Sequence, residues 1–458
     1  MTDKEFKRSV LTVTAFASFL TPFMGSSVNL ALPAIGNEFG ANAITLSWIT
    51  LSYMLSTAIF LLPAGRAGDI LGRKKVFTAG IFLFTLAMLL LTFTPGIKYM
   101  LIVRVIQGVA SAMVFGTNMA ILTSVFPAGE RGRAMGINVT FVYLGLASGP
   151  SLGGVLTRYL GWRSIFAFLV PMGILSLILI KAKIREEWRD SRGENFDWPG
   201  ALTCGASLAA IMYGFSILPG IAGWILTALG IILIALFFYI ENRSDSPIFD
   251  VSLLHKNKVF AYSSLAALIH YAATSAIGFF LSLYLKYIKG MEEQFSGLIL
   301  MSWPVLMALL SPIAGKLSDK HNPGRLASTG MALTASGLLF LCTVTEETAI
   351  MNIILMLALL GIGFGLFSSP NTNAIMSSVE KRQLGNASGM TGTVRMVGQT
   401  LSMGIATMLL AIYMGKAKVT PENHIQFLNA MKTGFVVFSV LCIIGIFASL
   451  QRNKDLQR

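Results

Sequence analysis

Charge is what this sequence is short of. Only 12% of its 458 residues are Asp, Glu, Lys or Arg, about half the share in soluble proteins. With hydrophobic residues at 54%, that scarcity excludes an ordinary soluble domain and a disordered chain alike. Acids are scarcer than bases, 21 against 35, and none of the 21 lies in the middle of an apolar run. Cysteines number three: Cys204, Cys342 and Cys442. All sit in apolar runs without paired spacing, so they read as small core side chains and not as disulfides or metal ligands. There is no Gly-x-x-x-x-Gly-Lys phosphate loop and no nucleophile motif with a base. An ATP-driven machine and an enzyme are therefore unsupported, and no cofactor is expected.

What the chain has in abundance is long uncharged runs. Runs of membrane-spanning length cover 9–35, 39–64, 76–97, 99–126, 134–157 and 164–180. Next comes 198–240, too long for one crossing and broken at Leu218-Pro219-Gly220, followed by 259–285, 294–315, 326–345, 348–376, 385–415 and 433–451. Split at that break, they predict an all-α polytopic membrane protein with 14 spans. The first run is too long for a cleaved signal and reads as a retained span.

A net charge of +14 in a soluble protein would suggest a nucleic-acid partner. Here its placement excludes one. Alternate loops and the tails hold 25 of the 35 Lys and Arg residues, the opposite loops eight, and two spans one each, Arg104 and Arg395. The positive-inside rule then puts both termini in the cytoplasm and requires an even number of spans.

The chain is internally duplicated. At an offset of 250 residues, Gly65 and Asp69 map onto Gly315 and Asp319, and Glu130-Arg131 onto Glu380-Lys381. This predicts two six-helix bundles, 1–183 and 259–458, with a linker and two inserted helices over 184–258. The linker Lys181–Asp197, with five basic and five acidic residues, reads as solvated and in part a surface helix.

Five features could carry function. The stretch Gly65-Arg-Ala-Gly68-Asp69-Ile-Leu-Gly72-Arg73-Lys-Lys joins two spans as a short loop, with glycines for tight turns and an acid four residues before Arg73. In Gly145-Leu-Ala-Ser-Gly149-Pro150-Ser-Leu-Gly153-Gly154, glycines four apart admit a neighbouring helix, while Pro150 removes a backbone hydrogen bond. Arg104, with Gln107 one turn on, is either a cavity residue or a side chain snorkelling toward Lys98. Arg395, with Gln399 one turn on, lies deeper in its span; it either faces the cavity or binds a backbone carbonyl. His270, beside Tyr271, is the one histidine inside a span, and either packs there or titrates.

The Gly65–Lys75 spacing resembles the loop between the second and third helices of the major facilitator superfamily, with Ile70 where the family usually has a basic residue. The resemblance implies that Gly65, Asp69, Gly72, Arg73 and the second-copy Asp319 act as a conformational latch. Arg104-Val-Ile-Gln107-Gly108 resembles the superfamily's span-4 motif, implying a part in proton coupling. Gly145–Gly154 resembles the span-5 motif of its drug:proton antiporters. With Val28-Asn29-Leu-Ala-Leu-Pro33, Trp48 with Tyr53, Gly161-Trp-Arg163 and Phe196-Asp-Trp-Pro-Gly200, the order of motifs is similar to the fourteen-helix drug:proton antiporter branch. It departs at Met24, where many members carry an aspartate. Without a buried acid, selection for cationic drugs loses its basis, and two buried arginines favour neutral, amphiphilic or anionic substrates. The expected protein is a monomeric, proton-coupled exporter of small amphiphilic compounds in the cell membrane, using Asn29, Tyr53, Arg104, Gln107, His270, Arg395 and Gln399 for substrate and coupling. The alternative is a facilitator, symporter or lipid or metabolite carrier of the same fold.

Overall fold

A computed structural model describes residues 3–41, 43–415 and 424–455; Lys416 and Lys418, two of the opposite-loop lysines, lie outside these. Among the described residues there are helices and no strand. The first six are α1 (Asp3–Phe39), α2 (Ala43–Leu71), α3 (Arg73–Thr92), α4 (Ile97–Val125), α5 (Ala128–Leu160) and α6 (Arg163–Lys183). The inserted pair is α7 (Trp198–Ser216) and α8 (Ile221–Glu241), followed by the short α9 (Ser252–Lys256). The second half comprises α10 (Lys258–Thr274), α11 (Ile277–Leu283) with a π-helical turn to Ile288, α12 (Glu293–Lys320), α13 (Pro323–Leu341), α14 (Ile350–Ser377), α15 (Leu384–Met414) and α16 (His424–Asp455).

The 250-residue offset carries α3 onto α13 and the end of α2 onto the end of α12. Each half has its own apolar core: Phe23, Phe84, Leu91 and Phe166 in the first, Phe280, Met331, Leu357 and Phe435 in the second. A third cluster joins both halves to the inserted pair through Leu62, Ala120, Leu208, Phe237, Phe249 and Leu384.

Twelve helices among the described residues are long and apolar enough to cross a membrane, counting α10, α11 and the π turn as one span. Of the 14 expected spans, 12 meet this measure. The helices that fall short are α7 and α13, 19 residues each. The physical reason is their content of small residues. A Cβ on Gly330 of α13 would stand 2.6 Å from the backbone of α14 at Gly363 and Phe367. One on Gly214 of α7 would stand 2.8 Å from the backbone nitrogen of Thr227 on α8. Small side chains let helices touch through their backbones and, by the same substitution, dilute apolarity.

Two local expectations also change. The supposed loop Gly65–Lys75 is almost wholly helical: α2 runs to Leu71, α3 starts at Arg73, and Gly72 alone lies between them at φ 116°. Only glycine takes that backbone conformation readily. The linker from Ile184 to Asp197 holds no helix; instead it lies across the α2–α3 turn. Trp188 O accepts the Arg73 backbone N–H at 2.9 Å, and Ser191 N–H donates to Asp69 O at 3.1 Å. Glu187 accepts from the Lys74 N–H, and Arg189 Nε donates to Ile70 O. Linker acids thus sit where loop bases are, so the strand of linker is held by its partner and not by its own hydrogen bonds.

Candidate functional site

At the turn ending α2, Asp69 and Arg73 are both wholly buried and paired at 2.6 Å. Asp69 also accepts the backbone N–H of Gly385 with both oxygens at 3.0 Å, and that of Asn386 at 3.3 Å. These are the exposed donors of the first turn of α15, where a carboxylate also meets the positive end of the helix dipole. Arg73 reaches Ser124 of α4 at 2.8 Å, Asp190 of the linker at 2.9 Å and Lys381 O at 2.5 Å. One ion pair thus touches both halves and the linker.

The second copy does the same in reverse. Asp319, at the end of α12, accepts the N–H groups of Gly132 and Arg133 near the start of α5, at 2.6 and 2.9 Å. Glycine permits both approaches: a Cβ on Gly65 would overlap Gly385 O, and one on Gly315 would overlap Gly132 O. The copies differ at one place. The position matching Arg73 is Pro323, so Asp319 lacks the buried arginine.

Nearer the centre, Arg104 is fully buried and does not snorkel. Its Nε donates to Ile49 O at 2.9 Å and its Nη1 to Gln107 Oε1 at 2.6 Å, while its guanidinium stands 4.5 Å over the Tyr53 ring. Tyr53 in turn shares a hydrogen bond with Ser111 at 2.8 Å. Arg104 Nη2 and Gln107 Nε2 have no partner among the described residues. On the opposing half, the Arg395 guanidinium lies 4.6 Å over Phe115 of α4, and its Nε is likewise unpartnered. Gln399, one turn on, is partly exposed. Asn29 is exposed and accepts from Thr50 at 2.9 Å, tying α1 to α2.

His270 is fully buried against Phe367 at 4.0 Å and Phe364 at 4.5 Å, and neither ring nitrogen has a partner among the described residues. Around Phe364 gather Tyr143 of α5, Tyr271 of α10 and Trp303 of α12, at 5.6 to 6.2 Å. Sequence reading passed over Tyr143 and Trp303; their only signal was an aromatic bearing a polar atom inside a span. The span-5 glycines face α1: a Cβ on Gly145 would crowd Phe19 O, one on Gly149 would overlap Ser26, and one on Gly153 would meet Ser27 at 2.8 Å. Pro150 and Gly154 lie within the same helix and are partly exposed.

Asp69 joins the halves on one face, and the expected latch is tested by removing its charge. Asp69→Asn loses charge toward the α15 N-terminus and leaves Arg73 with Asp190 as its one carboxylate. The expected result is a folded, inserted protein whose transport falls 5- to 30-fold, as a shift of about 1–2 kcal/mol between states implies. Asp319→Asn should cost less, because no buried arginine is left behind. Normal initial rates for both variants in vesicles would count against this reading.

The sequence fits the Major Facilitator Superfamily profile over residues 14–240 and 263–455. It is 26% identical over 441 residues to the riboflavin transporter RibZ of Clostridioides difficile, covering 96% of each chain. It is 29% identical over 425 residues to the multidrug resistance protein Stp of Mycobacterium tuberculosis, covering 91% of this chain and 78% of that one. The crystal structure of the human organic anion transporter MFSD10 superposes with a TM-score of 0.71 at 14% identity, over 97% of this chain and 99% of that one. These relatives are transporters and not enzymes, and the chain belongs to the Major Facilitator Superfamily of membrane transporters.

Proposed function

We propose that this transporter exports small amphiphilic compounds, neutral or anionic, across the cell membrane by alternating access driven by the proton gradient. The observation that carries the substrate class is the charge at the centre of the protein. Arg104 and Arg395 stand there with unpartnered nitrogens, and no carboxylate lies mid-span to oppose them. A buried guanidinium short of partners favours an acceptor or an anion. Tyr143, Tyr271, Trp303 and Phe364 supply an aromatic surface for the apolar part of the substrate. Export is supported by the packed glycine ridge of α5, similar to the antiporter motif, and by the drug-resistance relative. A second reading, a metabolite carrier, is favoured by the name of the riboflavin transporter relative.

In this proposal the latch is the Asp69–Asp319 pair of contacts, and α7 and α13 cross the membrane too. Fourteen crossings keep both termini in the cytoplasm with the basic loops. The symmetry supports this, since α13 repeats α3, which is itself a candidate span.

Two measurements test these points. In proteoliposomes with an imposed pH gradient, uptake of a panel of anionic, neutral and cationic dyes should respond to the gradient. Arg395→Gln should reduce transport of anionic dyes about tenfold or more while sparing neutral ones, the scale of one lost charge-assisted contact. Indifference of the wild type to the gradient would replace antiport with facilitated transport. For topology, single cysteines replace Glu186, Glu292 and Glu347 in a background lacking the three native ones. Glu292→Cys and Glu347→Cys should react with an impermeant thiol reagent from outside, and Glu186→Cys only after permeabilisation. A Glu347 probe that needs permeabilisation would mean α13 does not cross; Glu186 and Glu292 probes on one side would mean the same of α7 or α8.

A further inference from the structure

Two carboxyl groups outside the central region face each other at the inner ends of the inserted helices. Asp197 caps α7, its Oδ1 accepting the Gly200 N–H at 2.9 Å. Glu241 is the last residue of α8, 3% exposed, with Oε2 accepting the Phe249 N–H at 3.0 Å. Their other oxygens, Asp197 Oδ2 and Glu241 Oε1, have no partner among the described residues. Both oxygens converge on the space that Gly200 leaves open. A Cβ there would overlap Glu241 Oε1 and stand 3.0 Å from Asp197 Oδ2.

The surroundings offer little to neutralise two charges. From α2 the cation facing Glu241 is Arg66; its Nη2 is paired with Glu194 and its Nη1 with Ser191 of the linker, while its Nε has no partner among the described residues. From α7 the other titratable group is the Cys204 thiol. The segment after α8 presents backbone at Ile248 and Phe249. Glu241 is buried and Asp197 partly so; ionised together they repel, and each bare oxygen carries a desolvation cost. One proton removes both problems, turning one oxygen into a donor and the other into its acceptor.

We propose that Asp197 and Glu241 share one proton, forming a proton-binding site at the inner end of α7 and α8, apart from the substrate path. The proton comes from water on the face of the basic loops, and its uptake changes the pair from two negative charges to one. Bound, it ties the start of α7 to the end of α8. Released, the two ends repel and load the segment that Glu241 holds through Phe249. That segment continues to Asp250, which accepts from Gln383 at 2.9 Å beside the first turn of α15, the turn on which Asp69 docks. The site therefore lets inner pH bias closure of that face.

Infrared spectroscopy of the purified, full-length protein tests this without any transport assay, so the inference and the export reading fail independently. Wild type at pH 7 should show the carbonyl band of a protonated carboxylic acid, shifted in heavy water and lost as pH rises. Glu241→Gln should remove it. Asp197→Asn should keep a band but lower its midpoint by about one pH unit or more, since the negative neighbour that retains the proton is gone. Glu194→Gln, which leaves the pair untouched, should lower the midpoint in the same direction by releasing Arg66 toward Glu241. No band at pH 7 in the wild type, a band surviving in folded Glu241→Gln, or an unmoved midpoint in Asp197→Asn would each overturn the shared proton.

Discussion

N–H groups near a helix start need acceptors, and in this protein two helices find some of theirs on the opposite half of the molecule. The α15 N-terminus is met by Asp69 and the α5 N-terminus by Asp319. Much else on this face depends on that constraint. Asp69 is buried to reach its donors, so it needs a buried cation, and Arg73 supplies it. Arg73 then needs more acceptors than one carboxylate offers, and takes them from α4, the linker and the second half. Removing one member of such a pair strands a buried charge, at a cost of about 3–5 kcal/mol. The linker is drawn into the same network, which explains why a stretch without secondary structure follows a definite course.

The centre is built on the opposite imbalance. Two arginines lie inside spans, one from each half, with aromatic rings beneath them and no acid at mid-span. Cation–π contacts and backbone carbonyls hold these charges in place without neutralising them. His270, enclosed by phenylalanines, is shielded from that region by Phe364 and Phe367 unless the halves move. The acidic groups lie at the helix ends, which is where Asp197 and Glu241 meet.

Much of this architecture was legible in the chain. Uncharged runs mark the helices because hydrocarbon excludes charge, and the 250-residue offset exposes the duplication that the paired aspartates then repeat in space. Boundaries were less legible. Charged residues at 66, 69 and 73 read as a loop, yet tertiary partners on α15 and the linker let the helices continue to either side of Gly72. Apolarity alone marks only 12 of the 14 runs as spans, because the small residues that pack α7 and α13 lower it to the margin.

What the sequence determined by itself was class, duplication and the sign of the central charge, since each follows from which residue types occur and how far apart. Only the tertiary structure decided which helix terminus each aspartate caps, and that Arg104 turns inward to Ile49 and Gln107 and not toward lipid. It alone brought Tyr143 and Trp303 to one phenylalanine, and Asp197 to Glu241. Apart from Gln107, one turn from Arg104, those partners are 44 to 317 residues apart along the chain. No local pattern encodes such meetings, because they arise only when packed helices place distant side chains on facing surfaces.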